Sequence, residues 1–189
     1  MTRTYTLRKR AEQQAETRRR IVQAAVDLHG SVGPAQTSLS MVAERAGVQR
    51  HTLYAHFPDE RALLKACSAL SLEQSPLPEA DLWRSMEDRS ERLRMGLGAL
   101  YGWYERNAAL AACVLRDAEH HAPTRETMTR VFGPYFTTCE EVLGAGLSRK
   151  QGAVLHLALQ FSTWRALTRG SGLSATDAVD VMAHAIHAA

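Results

Sequence analysis

Three cysteines in 189 residues, Cys67, Cys113 and Cys139, are too few and too widely spaced for a disulfide framework, and no CxxC pair points to structural zinc. That usage fits a reducing compartment, and the chain is expected in the cytoplasm. No apolar run reaches the roughly 18 residues of a membrane span; "AALAACVL" (108–115) falls far short. The charged N-terminus lacks the apolar segment of a secretory signal. β-branched alternation is almost absent, which excludes a sheet-based fold. There is no GxSxG, Walker loop, HExxH or dinucleotide glycine pattern, so no catalytic residue and no cofactor are expected. An all-helical enzyme built on buried His and Glu is the weaker alternative.

What is present is an ordinary core-forming composition, 45% apolar and 23% charged, with a lopsided charge distribution. Residues 1–65 carry 11 Lys/Arg against 6 Asp/Glu, whereas residues 66–189 carry 12 against 14. The basic excess lies wholly in the first third, as expected if that end meets a polyanion. A solvated basic tail is the competing reading.

Helical spacing recurs throughout. Ile21, Ala24, Ala25 and Leu28 form one stripe after Thr17 and the Arg18-Arg19-Arg20 run, ended by Gly30 and "VGP". A second helix is expected over 39–46 with Thr37 or Ser38 as its N-cap. A third follows over 49–56, and Asp59 caps a fourth to about Leu72. "SLEQSPLPEAD" (71–81) is the clearest boundary. Three segments are therefore expected: a flexible basic arm over 1–16, a small helical domain over 17–72, and a C-terminal domain over 78–189. In the last, helices are expected over 83–106, 108–120, from Pro123 to about Leu147 with a bend at Gly133-Pro134, over 149–168, and beyond Ser174, which caps with Asp177.

"AERAGVQRHTLYAHF" (43–57) carries the functional signal. Ala43 and Gly47 allow two short helices to cross closely, with Gly47 in the left-handed turn. Val48 and Leu53 point inward, leaving Gln49, Arg50, His51, Thr52, Tyr54 and His56 mostly outward. Such groups bond base edges and phosphates. An ordinary αα-hairpin with a polar face is the bland alternative.

The longer string "TRRRIVQAAVDLHGSVGPAQTSLSMVAERAGVQRHTLYAHFPDERALLKA" resembles the DNA-binding domain of the TetR family of bacterial transcriptional regulators. Matches include Ile21, Ala24, Ala25, Leu28, Gly33, Thr37, Ser38, Val42, Ala43, Ala46, Gly47, Val48, Thr52, Leu53, Tyr54, His56, Phe57 and Leu63. The resemblance implies an all-α fold: an N-terminal three-helix helix-turn-helix domain and a C-terminal helical bundle for ligand binding and dimerisation. It also implies a homodimer on a palindromic double-stranded operator. In that reading Thr37, Tyr54 and His56 hold phosphates, Gln49, Arg50 and His51 face bases, and Ser38 and Thr52 are further DNA-binding residues. The function implied is a ligand-responsive repressor; an activator or architectural protein without an effector is the alternative. Three departures stand out. His29 replaces a core Phe; Glu60 replaces a phosphate-contacting Lys, with Lys65 as a possible substitute; and large side chains head the recognition helix. Whether residues 1–16 contact DNA is open.

The C-terminal two-thirds match nothing as specific. The 149–168 helix, apolar on nearly every side, is expected to pack on its own domain and with residues 177–189 on a partner subunit. His156, Gln160 and Thr163 share one stripe beside Trp164, and Trp103, Tyr104, Phe132 and Phe136 could line a pocket for a small-molecule effector. Plain core or subunit contact is the alternative for each. The adjacent His120-His121 rings diverge on a helix, and His184 with His187 has usable i, i+3 spacing but lies near a fraying terminus, so no metal is expected, and Cys113 or Cys139 as a redox sensor is a minor alternative.

Overall fold

The structure, a computed structural model, describes the backbone of residues 2–189 and the side chains from residue 7 onward. All regular structure among the described residues is helical, arranged in two compact units.

The first unit comprises Met1–Gln74 and Ala109–Met128. Its first four helices are α1 (Thr2–Ser31), α2 (Leu39–Arg45), α3 (Arg50–His56) and α4 (Glu60–Gln74). α1 packs on α2 and α4, and α2 packs on α3. Ile21, Ala25, Val42, Leu53 and Phe57 are fully buried in one core with Leu63 and Cys67. Each large apolar side chain taken from water there contributes roughly 1.5–3 kcal/mol.

α1 differs from expectation at its start. The helix continues back through the stretch read as a flexible arm, with residues 7–16 exposed. "LRKRAEQQAE" consists of strong helix formers, and Arg8 Nε donates to Glu12 Oε1 at 2.9 Å, one turn on. Local propensity therefore supports a helix that no core demands. Met1 and the side chains of residues 2–6 lie outside the described residues.

The other members of this unit are α6 (Ala108–Ala118) and the head of α7 (Ala122–Leu143). A boundary near residue 75 is present, but 109–128, expected in the C-terminal domain, clusters with the first unit. Sequence order concealed this because its contacts, such as Cys113 Sγ to the Gly30 carbonyl at 3.6 Å, span some 80 residues.

The second unit, Ser75–Ala108 with Thr129–Ala189, contains α5 (Arg89–Arg106), the rest of α7, α8 (Arg149–Ala158), α9 (Phe161–Arg165) and α10 (Ala175–Ala188). α10 packs on α5 and α8. Leu93, Leu97, Leu100 and Tyr104 line up inward as their spacing predicts, with Leu143, Leu155, Trp164 and Ile186. The helix expected from residue 83 starts six residues later. Asp88 Oδ1 accepts the Glu91 N–H at 3.0 Å as its N-cap, and Trp83 sits in a short 3-10 turn, Ala80–Ser85. Pro134 lies inside α7 without ending it.

The continuous helix expected over 149–168 is broken. α8 stops at Ala158, Gln160 is extended (φ −75°, ψ 136°), α9 lasts five residues, and a π turn, Ala166–Gly170, follows. The carbonyls freed at the break find donors on α5: Tyr101 Oη bonds Ala158 O at 2.9 Å and Tyr104 Oη bonds Leu159 O at 2.6 Å.

Candidate nucleic-acid interface

The helix-turn-helix is built from its turn outward. Gly47 adopts φ 65°, the left-handed conformation that favours glycine. The Gly47 N–H bonds Glu44 O at 3.0 Å and the Val48 N–H bonds Ala43 O at 2.9 Å, the paired bonds that close a helix C-terminus. α2 is capped at its other end by Ser38, whose Oγ accepts the Met41 N–H at 3.2 Å. Thr37, the alternative cap, instead donates its hydroxyl to Gly33 O at 2.7 Å.

Burial of Leu53 and Phe57 fixes the roll of α3. Gln49, Arg50, His51 and Tyr54 are consequently exposed, while Thr52 and His56 are half-buried. Gln49 holds the N-cap position without a side-chain cap bond. Its amide, like the Arg50 guanidinium and the His51 ring, makes no hydrogen bond among the described residues. A row of uncommitted donors and acceptors on a rigid base is what groove recognition needs. Beside it, the Arg18 guanidinium lies 4.5 Å from the Phe57 ring centroid. Lys65 is exposed on α4, and Asp59 caps that helix as expected, its Oδ1 accepting the Ala62 N–H at 2.8 Å.

Two of the departures, His29 and Glu60, turn out to neighbour the end of α6 and the turn that follows it. His29 is buried, and burial pushes its imidazole down to about 4, partly opposed by Asp117 and reinforced by His121. Glu60 points back into its own unit, 3.5 Å from His121 Nε2, and the neighbouring Arg61 binds Glu126 at 2.9 and 3.2 Å. Asp117, which sequence reasoning missed, is 1% exposed and accepts the Ala35 N–H at 2.9 Å. Only its adjacency to Arg116 hinted at an ion pair.

In the second unit, Trp103, Tyr104, Phe161 and Trp164 form a contiguous aromatic cluster, with centroids 5.2–5.8 Å apart along the series. Phe132 adjoins Trp103 at 6.3 Å, while Phe136 meets Tyr135 edge to face at 5.5 Å. Trp164 Nε1 is buried without a partner among the described residues. His156 and Gln160 lie elsewhere: both are exposed, and His156 Nδ1 meets Glu140 Oε1 at 2.6 Å. The break after α8 dissolves the stripe on which they were aligned. Burial drives the Cys67 thiol up to about 12 and the Cys139 thiol to about 11, so neither is a reactive thiolate near neutral pH.

Comparison with known proteins agrees with this geometry. Residues 21–67 match the family model of bacterial regulatory proteins, tetR family. The HTH-type transcriptional regulator SrpR of Pseudomonas putida is 35% identical over 85 residues, 42% of this chain and 39% of its own. The tetracycline repressor protein class A from transposon 1721 of Escherichia coli is 41% identical over 69 residues, 34% of this chain and 32% of its own. These matches span well under two thirds of those relatives. Among solved structures, FadR of Bacillus subtilis, in complex with stearoyl-CoA, superposes with TM-score 0.66 over 88% of this chain and 96% of its own at 15% identity, a likeness of fold. Residues 21–67 thus carry a helix-turn-helix domain similar to that of the bacterial regulatory proteins of the tetR family, within an all-helical fold shared with solved structures over most of its length.

Proposed function

We propose that the chain is a transcriptional repressor that binds a palindromic operator as a homodimer in the bacterial cytoplasm and releases it on binding a small molecule. The observation that carries the DNA-binding part is the exposed, uncommitted row Gln49, Arg50 and His51 at the head of α3, held by a buried Leu53. Arg50 can give two hydrogen bonds to guanine O6 and N7, and Gln49 can pair with adenine. Ser38 and Tyr54 stand exposed beside them for phosphates, with Thr37, Thr52, His56 and Lys65 around. One seven-residue helix reads too few bases for a unique site, so two copies on half-sites about one turn apart are required.

The effector reading rests on the second unit. An unpartnered indole N–H inside an aromatic cluster suits an apolar or aromatic molecule carrying one hydrogen-bond acceptor, walled by Trp103, Tyr104, Phe132, Phe136 and Trp164. That FadR was solved with stearoyl-CoA supports a long apolar ligand as the first class to test.

Selection of bound duplexes from a random DNA pool tests the reading. A two-fold symmetric motif is expected, and Arg50→Ala should relax preference at one base pair per half-site, a loss of about 1–3 kcal/mol there. An asymmetric motif would remove the dimer, and uniform weakening by Arg50→Ala would move that residue to the backbone.

A further inference from the structure

Three buried polar or charged residues stand out among the described residues, His29, Asp117 and Thr124, and all belong to the first unit. Asp117 is the least expected of them. It lies in the last turn of α6, where the helix dipole disfavours a negative charge, and it is almost wholly withdrawn from water. Burial alone would raise its pKa, yet bonds from Arg116 and Ala35 outweigh it, so the group is held below the usual carboxylate range and stays ionised.

Its bonds converge on one loop. Asp117 accepts from Ala35 N–H at 2.9 Å and from Arg116 Nε at 2.8 Å, while Arg116 Nη2 donates to Val32 O at 2.9 Å. Together with Cys113 on Gly30, α6 thus grips residues 30–35 at three points. Gly33, at φ 98° and ψ 156°, lies so close that a Cβ there would overlap Asp117 Oδ2 and Arg116 Nη2. The same loop carries forward to the head of α2: Thr37 Oγ1 bonds Gly33 O, the Thr37 N–H bonds Pro34 O at 3.1 Å, and Ser38 is the cap.

We propose that Asp117 is a positioning residue for DNA binding, clamping the 33–37 loop so that Thr37 and Ser38 are set to meet a phosphate. The clamp sits on the segment that enters this unit at Ala109 and leaves at Met128, so a displacement of α6 is passed to the phosphate-binding end of α2 as well as to α3's scaffold. This rests on the DNA-binding reading above.

The test is fluorescence anisotropy with the duplex recovered by random-pool selection, on the full-length chain. Asp117→Ala should weaken binding roughly tenfold on all sequences alike while leaving the salt dependence of log Kd nearly unchanged, because the Thr37 and Ser38 hydroxyls carry no charge to a phosphate. Asp117→Asn keeps an acceptor for the Ala35 N–H and should bind within about twofold of wild type. In a double-mutant cycle, Asp117→Ala combined with Thr37→Val should be no weaker than Thr37→Val alone, because both remove one contact. A purely architectural aspartate would lower the melting temperature while its effect on Kd added to that of Thr37→Val, which would overturn the proposal. Loss of binding by Asp117→Asn equal to that of Asp117→Ala would overturn it too, since the clamp would then not be the operative feature. A wild-type chain that selects no DNA defeats the DNA-binding reading and this inference together. Wild-type selection with unaltered affinity in Asp117→Ala defeats the inference alone.

Discussion

His29 stands where the resembled pattern places phenylalanine, and its imidazole is neutral in the folded chain across the physiological range. Burial holds it near 4 against an ordinary 6.5, with Asp117 opposing and His121 adding. Below pH 6.5 the unfolded chain takes up a proton that the folded chain refuses. Stability should therefore fall as pH drops from 6.5 towards 4, by about 1.4 kcal/mol per pH unit for this one group. His29→Phe should flatten that part of the melting-temperature profile while leaving the profile above pH 7 parallel to wild type. An unchanged slope between pH 6.5 and 4 would mean that the imidazole is hydrated in the fold.

At the scale of elements, the break between α8 and α9 is the most informative feature. "AVLHLALQFSTWRAL" has no proline, its one neighbouring glycine lies upstream, and it reads as one helix. What interrupts it is a pair of tyrosines on α5 whose hydroxyls take the Ala158 and Leu159 carbonyls. Both hydroxyls are buried, and burial raises the Tyr101 and Tyr104 phenols well above their usual range. Tyr101→Phe and Tyr104→Phe should each destabilise the chain by about 1–3 kcal/mol, because a buried carbonyl loses its donor. Denaturant titration measures this. A loss under about 0.5 kcal/mol in both would show that the break forms without them.

At the scale of the whole molecule, the proposed homodimer has a defined surface. α8 and α10 pack on one another, and each leaves an apolar side chain in water: Leu157 at 54% and Val181 at 46% exposure. Ala153 and Ala188 extend the two exposed faces. Two such pairs meeting about a two-fold axis would make a four-helix interface. Val181→Glu together with Leu157→Glu should sediment as a monomer and lose most operator affinity, with helical content unchanged. A wild-type chain that sediments as a monomer at micromolar concentration would send the apolar face to another role.

The helix-turn-helix was legible from sequence because its signals are local. Gly47 needs a left-handed turn, Ser38 and Asp59 cap the helices that follow them, and the spacing of Leu53 and Phe57 decides which side of α3 is buried. Each acts within a few residues, so one-dimensional pattern and local backbone chemistry determined the candidate surface of Gln49, Arg50 and His51. Tertiary structure alone decided the rest. Asp117 and Ala35 lie 82 residues apart, and Tyr104 and Leu159 lie 55 apart. A hydrogen bond closing so long a loop leaves no periodicity behind; it depends on which surfaces the folded core brings together, and burial then gives the bond its weight.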